Sequence, residues 1–345
     1  MVGFDISYAR PANMPRVAIL CFEGSYLSCI AGFMDILSVG DVHLRASETG
    51  GAQPFTCTLL SEHGGTIHAS GGLPVVTSPC EINETYDIVL IPAIHYPGYK
   101  RYTAFLNSLG ATRLWLRNQW ERGAWIGANC TGTFVLAESG LLQGRSATTT
   151  WWLDRLFRER YPKVDLNFRS VLTEADRLLC AGATATHMLQ AIRIISEFHG
   201  PTVAAQCART MLIDVSQTGN LPYLPLLTEA EHNDTLVTRA QAWLDANMSR
   251  EVTITALADA MLISERSLAR RFKTATGKSP LAYLQSSRLN AARALLETGD
   301  MSVQSIAHQV GYSDASSFTR LFGKHLGLSP GAYRARFQLF EDTGV

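Results

Sequence analysis

The sequence has no net charge, no long apolar run and no paired cysteines. Its 345 residues include 30 Lys+Arg and 30 Asp+Glu, so the formal net charge at pH 7 is zero. No segment has the roughly 18 consecutive apolar residues of a membrane-spanning helix, and the N-terminus lacks a signal-peptide pattern. The seven cysteines are scattered and never spaced as CxxC, which argues against a zinc site or a disulfide framework. We therefore expect a cytoplasmic protein that uses no metal and no cofactor.

The zero net charge is a cancellation between two parts of the chain. Residues 1–235 contain 17 basic and 21 acidic residues, whereas residues 236–345 contain 13 basic and nine acidic residues. Between Met261 and Arg293, seven basic residues face a single acidic one, Glu265. The C-terminal third is therefore where a polyanion such as DNA would bind.

The first two hundred residues alternate apolar strands with helical patterns, and the length of the chain suits two domains. Continuous apolar strands separated by helices predict a parallel α/β sheet covered on both faces, a flavodoxin-like sandwich. Glycine pairs at 64–65 and 71–72 flank a predicted hairpin, and residues 164–182 predict a second one. The predicted strands are Val17–Phe22, Phe55–Leu60, Ile88–Ile91 and Trp125–Ala128, and the predicted helices include Leu27–Leu37, Ala104–Arg122 and Phe134–Ser139.

The C-terminal part is predicted to be all-helical and contains one internal repeat. Residues 14–216 form the first predicted domain, 217–227 a linker with glycine and two prolines, and 228–340 the second domain. Within the second domain, residues 254–284 and 303–334 share one layout: a short helix, a tight turn, a second helix, then Gly, Ser-Pro and Tyr. Each turn ends in a serine, Ser264 or Ser313, which is the predicted N-cap of the second helix. This layout predicts two helix-turn-helix motifs in tandem, with a linking helix at Leu281–Leu296 between them.

The second helix of each copy presents residues that suit the DNA major groove. Arginine can pair bidentately with guanine, whereas serine and threonine accept or donate hydrogen bonds to several bases. Lysines a turn later suit phosphate contacts, and alanines can at most contact a thymine methyl group. The candidate DNA-binding residues are Arg266, Ala269, Arg270 and Lys273 in the first copy, and Ala315, Ser316, Thr319, Arg320 and Lys324 in the second.

Residues from about 236 to 340 resemble the DNA-binding domain of the AraC/XylS transcriptional regulators. The stretch IAHQVGYSDASSFTRLFGKHLGLSPGAYR matches the motif of that family nearly throughout. The resemblance implies two recognition helices in successive major grooves of promoter or operator DNA. It also implies a partnership with RNA polymerase, and it favours an activator.

A second resemblance concerns Cys130, which lies between a predicted strand and a predicted helix. The stretch GANCTGTFVLAESGLLQGRSATTTWW resembles the nucleophile turn of the class I glutamine amidotransferase-like (PfpI/ThiJ) superfamily, in the version fused to AraC-type domains in GlxA-like regulators. A thiol at such a turn is exposed above the sheet, and the helix N-terminus lowers its pKa. Residues 14–215 would then adopt the amidotransferase-like fold.

Four departures from the enzyme pattern leave this thiol without an obvious proton acceptor. Thr131 stands where enzymes of the superfamily often have histidine, and Thr150 stands where a second histidine is common. The usual acidic position falls on Cys29, and the glycine pair that can offer an oxyanion donor reads Ala93-Ile94. We therefore predict that the domain is not an enzyme. Cys130 could be a small residue left at a turn, part of a ligand pocket, or a redox sensor with Cys29 as the resolving thiol.

The sequence thus predicts a transcriptional regulator controlled by a small metabolite, which forms a homodimer through its N-terminal domain. Loops at the carboxyl ends of parallel strands are where α/β sheets bind ligands, and aromatic faces suit cationic or planar groups. The alternatives are a cysteine hydrolase or glyoxalase-like enzyme with a DNA-binding appendage, and a redox-sensing regulator. The candidate effector-binding residues are Cys130, Thr131, Cys29, Thr150, Trp151, His95 and Glu23.

Overall fold

The computed structural model describes residues 14–47, 53–167, 169–215, 232 and 234–338. The chain divides into two compact units, residues 1–220 and 221–345. The predicted linker 217–227 and the first residues of the second predicted domain, 228–231, lie outside the described residues. Each unit has its own hydrophobic clusters.

The first unit contains an eight-stranded, mostly parallel sheet. Its strand order is β3-β4-β2-β1-β5-β6-β10-β9, with antiparallel pairing at both edges, between β3 and β4 and between β9 and β10. A separate parallel pair is formed by β7 and β8. The strands are β1 (Arg16–Leu20), β2 (Thr56–Ser61), β3 (His63–His68), β4 (Pro74–Pro79), β5 (Ile88–Ile91), β6 (Trp125–Asn129), β7 (Ser146–Ala147), β8 (Asp165–Leu166), β9 (Leu172–Ala175) and β10 (Leu178–Ala181).

Helices cover both faces of this sheet because successive side chains of each buried strand point to opposite sides. In β1, Val17 and Ile19 belong to one hydrophobic cluster, and Ala18 and Leu20 belong to the other. The predicted α/β sandwich is therefore confirmed. The helices of this unit are α1 (Leu27–Ala46), α2 (Tyr99–Ser108), α3 (Gly110–Glu121), α4 (Gly132–Glu138), α5 (Asp154–Arg160), α6 (His187–His199) and α7 (Pro201–Thr210).

Two of the helical predictions need comment. The predicted single helix Ala104–Arg122 is wrong, because α2 ends at Ser108 and α3 begins at Gly110, with Leu109 as the junction residue. The break falls next to Gly110, and glycine is a poor helix former. Helix α1 is long and apolar enough by composition to cross a membrane. Its apolar side, which includes Phe33 and Leu37, is packed in a core cluster of the sheet instead.

The second unit is helical, as predicted, and has two hydrophobic clusters. One cluster joins α8, α9, α10 and the start of α11, and the other joins the rest of α11 with α12, α13 and α14. The helices are α8 (Thr235–Asn247), α9 (Ile254–Met261), α10 (Glu265–Thr276), α11 (Pro280–Thr298), α12 (Val303–Gln309), α13 (Ala315–Leu326) and α14 (Pro330–Phe337).

The two copies of the repeat begin their second helices differently. Ser264 caps α10 as predicted, and its hydroxyl accepts a hydrogen bond from the Ser267 N–H. The predicted cap Ser313 is wrong, because Asp314 caps α13. Its carboxylate accepts hydrogen bonds from the backbone N–H groups of Ser316 and Ser317. The first turn has three residues (262–264) and the second has five (310–314), and the longer turn places the cap at Asp314.

Candidate functional sites

The recognition helices α10 and α13 are each anchored by a pair of buried apolar side chains. Leu268 and Phe272 are fully buried under α10, and Phe318 and Phe322 are fully buried under α13. These pairs recur at a spacing of four residues, so the opposite face of each helix points to solvent. The fold therefore presents one polar helix face in each helix-turn-helix.

Helix α10 presents an exposed, basic face. Arg266, Ala269, Arg270 and Lys273 are all exposed. The three cationic side chains have no hydrogen-bond or ion-pair partner among the residues that the structure describes. The neighbouring Arg271 differs, because its Nε donates to Asp234 Oδ2 at 2.6 Å. Three cations on this helix are thus free for an external anion.

Helix α13 carries fewer free cations. Ser316, Arg320 and Lys324 are exposed, and Arg320 Nη2 donates to Ser317 Oγ at 3.2 Å. Thr319 is half-buried, and Ala315 is half-buried and packs against the second cluster. The position predicted as a base contact at Ala315 is therefore partly occupied by packing inside the protein.

In the first unit, Cys130 directly follows β6 and leads towards α4 in a left-handed backbone conformation. Its φ of 52° lies in the region that non-glycine residues rarely adopt. The surroundings fix this conformation, because the Cys130 N–H donates to the Ala181 carbonyl at 2.7 Å and its carbonyl accepts from Thr149 Oγ1 at 2.7 Å. The geometry is that of a nucleophile turn.

The chemical environment of Cys130 differs from that of an activated thiol. The residue is only 5% exposed, and burial raises the pKa of the thiol against the weaker opposing effect of nearby threonine hydroxyls. Thr184 Oγ1 donates to the sulfur at 3.7 Å. The Thr131 backbone N–H at the start of the helix does lower this pKa, but desolvation of the thiolate outweighs it, so the net shift is upward.

The Thr131 hydroxyl accepts a hydrogen bond from the Ile94 N–H, the backbone donor that could have stabilised an oxyanion. The Ile94 N–H donates to Thr131 Oγ1 at 2.7 Å, and the same hydroxyl lies 2.7 Å from the Ile94 carbonyl oxygen. The Thr131 carbonyl in turn accepts from the buried Tyr102 hydroxyl at 2.8 Å. An oxyanion hole needs free donors aimed at the reacting atom, and this N–H is already engaged.

A cavity of about 350 Å³ opens beside the Cys130 turn. Aromatic side chains form much of its wall, and Trp152 and Tyr96 contact each other edge to face with 5.5 Å between ring centroids. The described residues that line it carry no carboxylate, ammonium or guanidinium group. They are Tyr26, Ile94, His95, Tyr96, Cys130, Thr131, Thr150, Trp151, Trp152, Ala183 and Thr184.

The cavity brings together five of the seven predicted effector residues. The other two lie elsewhere. Cys29 is buried, and its thiol contacts Asn129 Oδ1 at 3.6 Å and the Thr184 carbonyl at 3.7 Å. Burial raises the pKa of Cys29 to about 11. Glu23 is exposed, and its carboxylate accepts from the His68 N–H at 3.1 Å.

The sequence reasoning did not select Tyr26 or Thr184 as site residues. Tyr26 follows β1 and Thr184 follows β10, so both lie beyond the carboxyl ends of strands of the parallel core. The rule that places ligands at these ends could have found them.

The fold and the two sites define a chain with an α/β unit that carries an enzyme-like thiol turn and a helical unit that carries a tandem helix-turn-helix. A family model described as "Helix-turn-helix domain" matches residues 257–336. The regulator CdhR of Pseudomonas aeruginosa is 27% identical over 294 residues, which are 85% of this chain and 85% of CdhR. The regulator GlxA of Rhizobium meliloti is 26% identical over 306 residues, 85% of this chain and 89% of GlxA.

The regulator ArgR of Pseudomonas aeruginosa is 30% identical over 223 residues, which are 64% of this chain and 67% of ArgR. All three relatives are named HTH-type transcriptional regulators. The chain belongs to this family of transcriptional regulators with an AraC-type DNA-binding domain. The predicted DNA-binding regulator is therefore confirmed.

Proposed function

We propose that residues 14–216 form a sensor that binds a small effector without chemical turnover, and that residues 228–340 read promoter DNA in response. The observation that carries the proposal is the aromatic-walled cavity beside a thiol turn that lacks its catalytic partners. Such a wall suits a flat or cationic small molecule. Effector binding must favour one DNA-binding state, because only differential affinity shifts a population.

A compound screen on the full chain tests this proposal. A ligand at a hundred times its Kd stabilises the folded state by about 2.7 kcal/mol, which a thermal-shift assay detects. A compound found this way is then added to a DNA-binding titration. We expect it to change DNA affinity in the wild type and in Tyr99→Ala, an exposed aromatic outside the cavity, but not in Trp152→Ala. A bound compound that leaves DNA affinity unchanged contradicts the proposal.

A cysteine hydrolase stays a second candidate because His95 lines the same cavity as Cys130. An imidazole there could serve as a general base if it reaches the thiol. The test is turnover of ester, amide and α-ketoaldehyde substrates by the full chain. Turnover that disappears in both Cys130→Ser and His95→Ala would establish the enzyme, and none is expected under our proposal.

The redox alternative is less well supported by this geometry. Reactive thiols are thiolates in exposed, electropositive surroundings, whereas Cys130 and Cys29 are buried with raised pKa values. We further propose that the protein acts in the cytoplasm as a homodimer and activates transcription with RNA polymerase. Sedimentation of the full chain and in vitro transcription with purified polymerase test these two partnerships.

A further inference from the structure

The two helix-turn-helix motifs have separate cores that share one helix, α11. Leu284, near the start of α11, belongs to the cluster of the first motif. Leu289, Ala292 and Leu296, further along α11, belong to the cluster of the second motif. Apart from residues of α11 itself, neither cluster includes a described residue of the other motif. The angle between the two recognition helices therefore depends on α11 and on the polar contacts that bridge the two motifs.

Arg288 lies on α11 between the two clusters and binds the C-terminal end of α8. Its Nε donates to the Met248 carbonyl at 2.7 Å, and its Nη2 donates to the Arg250 carbonyl at 2.6 Å. Met248 is the C-cap of α8, where backbone carbonyls lack helical partners. A cation is also favourable at that end of a helix. Arg288 thus connects the end of α8, in the first helix-turn-helix motif, to the linking helix α11.

The same guanidinium contacts the turn between α12 and α13 in the second helix-turn-helix motif. It lies 5.4 Å from the ring centroid of Tyr312, whose ring contacts Phe318 under α13 at 5.4 Å. Gly311 has a φ of +91°, and a Cβ there would lie 2.3 Å from the Met248 oxygen and 2.9 Å from Arg288 Nη2. The second turn therefore packs directly against the α8 carbonyl that Arg288 binds.

We propose that Arg288 is a positioning residue that fixes the phase between the two recognition helices, and thereby the spacing of the two half-sites that the protein accepts. One guanidinium holds the α8 end, the linking helix and the α12–α13 turn at one point. The operator must present its two major-groove segments at a matching separation. One inserted base pair rotates one half-site against the other by about 35° and moves it by about 3.4 Å.

The experiment uses the full chain and duplexes obtained by in vitro selection with the wild-type protein. Affinity is measured for the selected duplex and for versions with one base pair inserted or deleted between the half-sites. We expect the wild type to lose about tenfold or more on insertion, a penalty similar to that of a mismatched base pair. Arg288→Gln should bind the selected duplex more weakly but lose much less on insertion, and Arg288→Lys should fall between them.

Arg293→Gln is the matched control. Arg293 lies on the same helix, but its Nε donates to the hydroxyl of Tyr333 in α14 at 2.8 Å, a contact within the second helix-turn-helix motif. This variant should weaken binding to all the duplexes by one common factor and keep the wild-type insertion penalty. Circular dichroism and melting curves show which variants fold, and Arg288→Lys keeps the test open if Arg288→Gln does not.

An unchanged insertion penalty in a folded Arg288 variant would overturn the proposal. The inference rests only on DNA binding by the tandem helix-turn-helix, not on effector control. If the selection enriches no duplex, DNA binding itself fails, and this outcome is distinct from equal penalties on an enriched duplex.

Discussion

Replacing Lys273 by alanine should change the salt dependence of DNA binding by the amount of one phosphate contact. Lys273 is exposed near the end of α10 and has no partner among the described residues. Each neutralised phosphate contributes about 0.9 to the slope of log affinity against log salt. Between about 50 and 200 mM salt, one contact therefore changes affinity by about 3.5-fold. The advantage of the wild type over Lys273→Ala should shrink by that factor across this range.

The assay is a fluorescence-anisotropy titration at four or five salt concentrations, with a selected duplex and a scrambled one. Lys273→Ala should weaken both duplexes alike, because a phosphate contact carries no base information. Arg271→Ala is the matched control, since it removes one positive charge from the same helix but its guanidinium is paired with Asp234 at 2.6 Å. If Arg271→Ala lowers the slope as much as Lys273→Ala, the effect is one of net charge and the assigned contact is wrong.

Four further predictions follow from single side chains. Phe322→Ala should lower the free energy of unfolding by about 3–5 kcal/mol in urea denaturation, because the ring is fully buried. Thr131→Val should cost about 1–3 kcal/mol in the same assay, because the Ile94 N–H loses its acceptor. Arg320→Ala should relax selectivity at one base pair by about 1–3 kcal/mol in a mismatch series, and equal affinity losses for all duplexes would contradict this. The pKa of Asp314 is lowered to about 2 by donors from the Ser317 hydroxyl and nearby backbone N–H groups. Its contribution to stability is therefore complete above the ordinary value of about 3.9 and lost as pH falls towards 2, so Asp314→Asn should flatten thermal stability across that window.

The C-terminal domain could be predicted in detail because local rules determine most of it. Apolar spacing located α9, α10, α12 and α13, and the glycines at 277 and 327 end α10 and α13 in left-handed conformations, as the pattern indicated. The second cap was misplaced because Ser313 and Asp314 are both good caps in adjacent positions. The length of the preceding turn decides between them, and sequence alone does not give that length.

The cavity beside Cys130 was only partly predictable because its residues come from distant parts of the chain. The strand-end rule identified His95 and the thiol turn, but the side-chain directions in the loops depend on packing. Glu23 follows β1 more closely than Tyr26 does, yet Tyr26 lines the cavity and Glu23 does not. Cys29 lies in the first turn of α1, where its thiol contacts the buried Asn129 side chain and the Thr184 carbonyl.

The turn at Cys130 shows why backbone geometry alone does not make a nucleophile. A left-handed cysteine after a buried strand is strained, so something other than local preference must hold it. Here the hydrogen bonds to Ala181 and Thr149 hold it, and both use backbone atoms of Cys130. The thiol itself gains no base from this arrangement, and Thr131 satisfies the Ile94 N–H that an oxyanion would need. The same bonds therefore preserve the turn without activating its thiol, which supports the binding role that we propose for this cavity.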